Sequence, residues 1–294
     1  MPDGMAQDQP SAARQQADPQ ALEAENASLK DRLLRALADA DNTRRLAERT
    51  AEEARRYAIA DFARELLTVA DNLIAEKKIP VMIQVFIEPG TIGDRKIRSI
   101  EYDTVSDRYA RFLRDEILAE VQAQYNIRKD AYSRGIGGIS SGGICAFNVA
   151  WQQNDQFSRV ISHVGSFTSI QWHHDETDPR ENMIGGNDFP FLIRKSSRRN
   201  IRVWLQDGSE DLENDHGSWP LQNIQMANSL KMREYDFHFS WGGGSHNAAH
   251  GNSELPEEMT WLWRDYDPSK TEQNYQMDPE EKSKPMYRVH IYNR

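Results

Sequence analysis

Gly138-Ile139-Ser140-Ser141-Gly142 is the stretch on which the fold turns. It fits the G-x-S-x-G pattern of a serine set on a sharp turn between a strand and a helix, where glycines permit a strained backbone and close packing. The flanks agree: residues 134–138 lead in as a strand candidate, and Ile144-Cys145-Ala146-Phe147-Asn148-Val149-Ala150-Trp151 continues as a helix. A serine hydroxyl is a poor nucleophile at neutral pH, so it needs a base within hydrogen-bond reach and a third group to orient that base. Asp211 and His246 follow in the order serine, acid, histidine. Ser140 is the candidate nucleophile. Ser141 is its rival, but the residue two before it is Ile139 rather than glycine.

Each partner lies where a strand should end. Ile201-Arg202-Val203-Trp204-Leu205 runs into Gln206-Asp207-Gly208-Ser209-Glu210-Asp211, an acidic loop at a C-terminal strand edge, where ligands gather in open parallel sheets. Asp211 is the candidate acid and Asp207 the second choice. Tyr235, Phe237, Phe239 and Trp241 alternate with Asp236, His238 and Ser240, and this strand leads into Gly242-Gly243-Gly244-Ser245-His246. Three glycines predict a loop that carries the His246 imidazole to Ser140 as the base, with His250 the runner-up. Further strand candidates are residues 160–164 and the apolar run Ile79-Pro80-Val81-Met82-Ile83-Gln84-Val85-Phe86-Ile87, which reads as a parallel strand covered on both faces. Tyr109, Phe112, Leu113, Ile117, Leu118 and Val121 recur at helical spacing. The alternation of strands and helices predicts the α/β class with a mostly parallel sheet.

Upstream the grammar changes. Residues 1–20 are rich in Gln, Ala, Asp and Pro and read as a disordered tail. Residues 21–75 are nearly all strong helix formers, with Leu22, Leu29, Leu33 and Leu37 on one stripe and no glycine or proline to interrupt them. A helix this long and charged needs a partner helix, most simply from a second copy of the chain. Residues 267–294 form a polar C-terminal extension whose final alternation, 286–292, suits an edge strand or a docking segment.

The net charge of −10 disfavours a nucleic-acid partner, and mean hydropathy of −0.78 with no long apolar run disfavours a membrane. Cys145 is the single cysteine and reads as a small packed residue. With no basic-then-apolar leader, cytoplasmic residence is expected. His173-His174-Asp175-Glu176 has the composition of a metal cluster, but neighbouring histidines on a strand point to opposite faces, so neither metal nor other cofactor is expected. His163 and His238 read as packed or solvent-facing.

Tyr57-Ala58-Ile59-Ala60-Asp61-Phe62-Ala63-Arg64-Glu65-Leu66-Leu67-Thr68-Val69-Ala70-Asp71-Asn72-Leu73, with Leu29-Lys30-Asp31-Arg32 and Asn42-Thr43-Arg44-Arg45, resembles the long helix of GrpE, the nucleotide exchange factor of DnaK-type chaperones. That resemblance implies a homodimer through the helix and a DnaK-type partner. The bundle helices and beta domain of a GrpE protein do not follow, so the resemblance implies pairing more than exchange activity. From Asp71-Asn72-Leu73-Ile74 onward the chain is similar to the enterochelin esterase-like family of alpha/beta-hydrolases. The similarity is carried by Gly137-Gly138-Ile139-Ser140-Ser141-Gly142-Gly143, Ile161-Ser162-His163-Val164-Gly165-Ser166-Phe167, Leu205-Gln206-Asp207-Gly208 and Trp261-Leu262-Trp263-Arg264-Asp265-Tyr266. It implies a hydrolase domain over 76–266 that cleaves carboxylic esters of small molecules or sugars, with Ser140 as nucleophile, His246 as base, Asp211 as acid and the Ser141 amide as oxyanion donor.

Family members begin with several more strands, and the loop after an early strand supplies a second oxyanion donor. Here the GrpE-like helix stands in that place. A truncated hydrolase of impaired activity is expected, since one lost donor costs roughly 10²–10³ in turnover. The competing expectation is a GrpE-like co-chaperone with an inert hydrolase part. A third is a chimera that does neither.

Overall fold

A computed structural model describes residues 19–290. The tail expectation falls largely outside the described residues, as do the last four residues of the C-terminal extension. The backbone divides into two compact units, residues 1–57 and 58–294, and one helix runs through both: α1, Pro19–Ala75. In the first unit Leu29, Leu33 and Leu37 of the expected stripe are each more than half exposed.

The second unit is built on a four-stranded parallel sheet. Its strands are β1 (Gly135–Ile139), β2 (Arg159–His163), β3 (Arg202–Glu210) and β4 (Asp236–Ser245), lying side by side in chain order. Between and after them run α2 (Ser141–Gln152), α3 (Phe189–Lys195), α4 (Trp219–Met232) and α5 (Ala249–Leu262). The crossovers suit parallel pairing, which needs a connection long enough to return the chain to the same end of the sheet.

Strand alternation sorts side chains onto two faces. Val160, Val203, Leu205, Phe237 and Phe239 pack with Ile144, Phe147, Met226, Leu230 and Phe189 in the main core, joined by Tyr109, Ala110 and Leu113 of the helical run at 108–124. That run matches the expected helix, with a π-helical turn at Leu113–Ile117. On the other face Ile161 meets Met259 and Leu262 of α5, together with Ala70 and Leu73 of α1. The last turns of α1, with Phe62, Leu66, Val69, Ala70 and Leu73 at helical spacing, therefore form part of the second unit's own covering layer. The helix stops in a Schellman motif, in which the Lys78 N–H donates to the Leu73 carbonyl (2.9 Å) and the Lys77 N–H to that of Ile74 (3.0 Å). Lys77 takes the left-handed conformation (φ 59°) that this motif requires.

Two expectations need correction. Residues 79–87 form no strand. Ile79 is buried, but Val81 is 86% exposed and Ile83, Val85 and Phe86 are each nearly half exposed. A central parallel strand is held by neighbours on both sides, and among the described residues β1 ends the sheet with no strand beyond it. Gly242, Gly243 and Gly244 are not a loop but the end of β4, where Gly242 pairs with Gly208. Gly208 allows that close approach, because a Cβ there would come within 2.2 Å of the Gly244 carbonyl oxygen. The segment at 286–290 makes no strand either. It docks instead through Tyr287, whose ring meets Phe239 edge-on and whose N–H donates to Asn228 Oδ1 (2.9 Å).

Candidate active site

The turn between β1 and α2 places Ser140 at φ 60°, ψ −121°, a conformation that non-glycine residues rarely adopt. Backbone hydrogen bonds hold it there. The Ser140 N–H donates to the His163 carbonyl (2.9 Å), while the Ser140 carbonyl accepts from Gly143 (2.9 Å) and Ser166 (3.1 Å). Gly138 makes the turn possible, since a Cβ there would lie 2.4 Å from the Gly142 backbone. Ser141 opens α2, so its N–H belongs to the first turn, where a helix leaves donors without intrahelical acceptors.

Asp211 follows directly on β3, whose pairing with β4 shifts register between Gly208 and Glu210. Such an irregularity re-aims the side chains beyond it. His246 sits in the short turn between β4 and α5. The three side chains, from the ends of β1, β3 and β4, meet: His246 Nε2 lies 2.8 Å from Ser140 Oγ, and His246 Nδ1 lies 2.5 Å from Asp211 Oδ1. The Asp211 carboxylate is fully buried and His246 is 13% exposed. Asp211 Oδ1 also accepts the Leu212 N–H at 2.6 Å.

The alternatives fall elsewhere. His250 has its ring nitrogens 2.9 Å from Gln206 Nε2 and 3.1 Å from Glu254 Oε1, on the face covered by α5. Asp207 is fully buried one turn of strand from Asp211, and its Oδ1 accepts the Gly208 N–H at 2.7 Å. Burial, with a hydrogen bond and repulsion from Asp211, raises its pKa to about 9. His163 is buried against Glu258 (2.6 Å), with Phe62 of α1 edge-on to its ring. His238 stacks on Trp204, and burial lowers its pKa. His173 and His174 lie in a loop rather than on a strand; His174 stacks on Trp172. Cys145 is buried in the main core. Among the described residues no group of three or more His, Cys, Asp or Glu side chains could hold a metal, and no helix is long and apolar enough to cross a membrane.

Two neighbours of Ser140 were not singled out from sequence. Ser166, fully buried after β2, lies with its Oγ 3.3 Å from Ser140 Oγ. Trp219, first in α4, donates its indole N–H to Ser166 Oγ (3.1 Å) and sets its ring edge-on to His246. An indole N–H can only donate, so Ser166 Oγ accepts there, and when Ser140 gives its own proton to His246 Nε2 the Ser166 hydroxyl is the donor in the contact with Ser140 Oγ. The available signal for Ser166 was Gly165-Ser166-Phe167 just past a strand's C-terminal end, the edge on which such sites are built.

A family model described as "Putative esterase" matches residues 63–262, and one described as GrpE matches residues 3–79. The protein GrpE of Methylocella silvestris is 45% identical over 83 residues, covering 26% of this chain and 44% of that protein. That of Parvibaculum lavamentivorans is 55% identical over 62 residues, covering 21% of this chain and 29% of its own. The chain thus spans less than half the length of these curated relatives. Among solved structures, the enterobactin esterase of Shigella flexneri superposes with a TM-score of 0.51 at 17% identity, covering 66% of this chain and 47% of that one. A ferulic acid esterase gives 0.51 at 17% identity, covering 70% and 80%. At these identities the likeness is one of fold.

Proposed function

This chain belongs to the esterase family whose model spans its residues 63–262, and from that premise we propose that it is a serine ester hydrolase acting through Ser140, His246 and Asp211. The observation that carries the reading is the unbroken chain Ser140 Oγ, His246 Nε2, His246 Nδ1, Asp211 Oδ1, assembled from three strand ends. Ser140 Oγ attacks the ester carbonyl carbon as His246 Nε2 takes its proton, and Asp211 holds the imidazolium that forms. The tetrahedral oxyanion receives the Ser141 N–H. Collapse expels the alcohol, which leaves with the proton from His246, and water hydrolyses the acyl-Ser140 ester by the same steps in reverse. The substrate class follows the family: carboxylic esters of small molecules or sugars, in a cytoplasmic setting.

With residues 79–87 outside the sheet, and among the described residues no strand of that sheet before β1 to bring a second oxyanion donor, turnover is expected to fall roughly 10²–10³ below that of a relative with both donors. The test is hydrolysis of p-nitrophenyl acetate and butyrate by the chain and by Ser140→Ala, with circular dichroism to show that both fold. Loss of about 10⁴-fold or more in the variant is expected. Equal rates from two folded samples would sink the reading.

A second reading is favoured by the GrpE match and by the exposed Leu29, Leu33 and Leu37. In it residues 21–57 pair with a second copy and dock on a DnaK-type chaperone, while the hydrolase unit is inert.

A further inference from the structure

Two buried carboxyl groups stand side by side at the end of β3. Asp207 is fully buried and so is the Asp211 carboxylate. Each has an oxygen, Oδ2, that meets no donor, although the two groups lie within hydrogen-bonding reach of each other. Two ionised carboxylates offer acceptors and no proton, and like charges side by side in a dry site strongly favour protonation of one of them. One shared proton satisfies both orphaned oxygens at once.

The surroundings decide where that proton sits. Asp211 Oδ1 has two N–H partners, His246 Nδ1 and the Leu212 amide, which stabilise a negative charge there. Asp207 accepts one backbone N–H, from Gly208. The group presented to it by α4 is the neutral Asn223, itself fully buried, with its Nδ2 also donating to the Gly165 and Trp219 carbonyls; its hydrogen bond to Asp207 favours the charged form, but less than burial and Asp211 oppose it. Its register partner in β4 is Trp241. On the β2 side, His163 pairs with Gln206 and so projects to the opposite face. Asp211 is thus the ionisable group beside Asp207, and His246 is reached through Asp211.

We propose that Asp207 is a positioning residue, a buried protonated carboxyl that donates its hydrogen bond to Asp211 Oδ2 and fixes the carboxylate that orients His246. The chain of donors then runs inward from both ends: Ser140 toward His246, His246 toward Asp211, and Asp207 toward Asp211. The raised pKa of Asp207 agrees with this protonation. The kinetic consequence rests on the ester-hydrolase reading; the protonation does not.

Asp207→Asn keeps the shape, a donor for Asp211 and an acceptor for the Gly208 N–H; Asp207→Leu keeps none of the polar contacts. Infrared difference spectra of wild type minus Asp207→Asn at neutral pH should contain the carbonyl stretch of a protonated carboxyl, and the band should vanish as the wild type is taken alkaline. With p-nitrophenyl butyrate, wild-type kcat should decline on the alkaline side, Asp207→Asn should hold its neutral-pH kcat and lose that decline, and Asp207→Leu should lose about tenfold or more in kcat at unchanged KM. Absence of the protonated band overturns the proposal, as does an alkaline decline shared by wild type and Asp207→Asn. If the wild type hydrolyses nothing, the enzyme reading fails while the infrared band still decides the state of Asp207.

Discussion

Ser140 stores strain that glycine would release. Its positive φ costs on the order of 1–3 kcal/mol for a residue with a Cβ, and the backbone hydrogen bonds to its N–H and carbonyl hold it in place. Ser140→Gly should therefore raise the free energy of unfolding by about 1 kcal/mol in urea titrations while hydrolysis disappears. Asp207 makes a second residue-scale prediction with a definite sign. Its folded pKa is raised above the ordinary carboxylate range by burial and by Asp211, so the stability it supports is present at about pH 4 and below and is lost as pH rises toward the folded pKa. Asp207→Asn should gain stability over wild type as pH rises from about 4 toward about 9, and show no gain at pH 4, by urea unfolding at a series of pH values. The residues of the site were unequally legible. Ser140, Asp211 and His246 carry motif, order and strand-end position in the sequence itself. Ser166 and Trp219 carry no pattern linking them across 53 residues of chain, and the role of Asp207 depends on a burial that spacing does not encode.

Among the elements, the strands that lie in the sheet were readable from different signals: short apolar runs for β2 and β3, period-two alternation for β4, and for β1 its place before the G-x-S-x-G turn; the structure extends β3 and β4 beyond the expected ends. Residues 79–87 have the same composition and no strand, because composition records what a segment could pair with and not whether a partner is there. The glycines of β4 misled in the opposite direction: they read as a loop, yet serve a crowded stretch of ladder against Gly208. Two element-scale changes follow. Leu73→Ala removes a side chain that is 5% exposed between α1 and α5 and should cost about 2–4 kcal/mol by thermal or urea unfolding. Lys77→Gly relaxes the left-handed residue that closes α1 and should return about 0.5–1 kcal/mol in the same assay.

At the scale of the molecule, the change of grammar near residue 75 was legible, but the structural unit begins earlier, at Ala58. No feature of the sequence marks that point, because helix propensity runs through it without a break. Removing residues 1–57 should leave the hydrolase unit with an unchanged unfolding midpoint and, if the helix pairs, convert a dimer to a monomer by sedimentation. Removing residues 1–75 should lower the unfolding midpoint sharply, since Phe62, Leu66, Ala70 and Leu73 leave with it. The two family matches overlap over residues 63–79, and the packing of α1 gives that overlap a physical meaning. One helical stretch fits two family patterns at once while covering Ile161 and the α5 face of the sheet. Replacement of whatever stands upstream of Ala58 should therefore be tolerated by the sheet, whereas a cut within residues 62–73 should not.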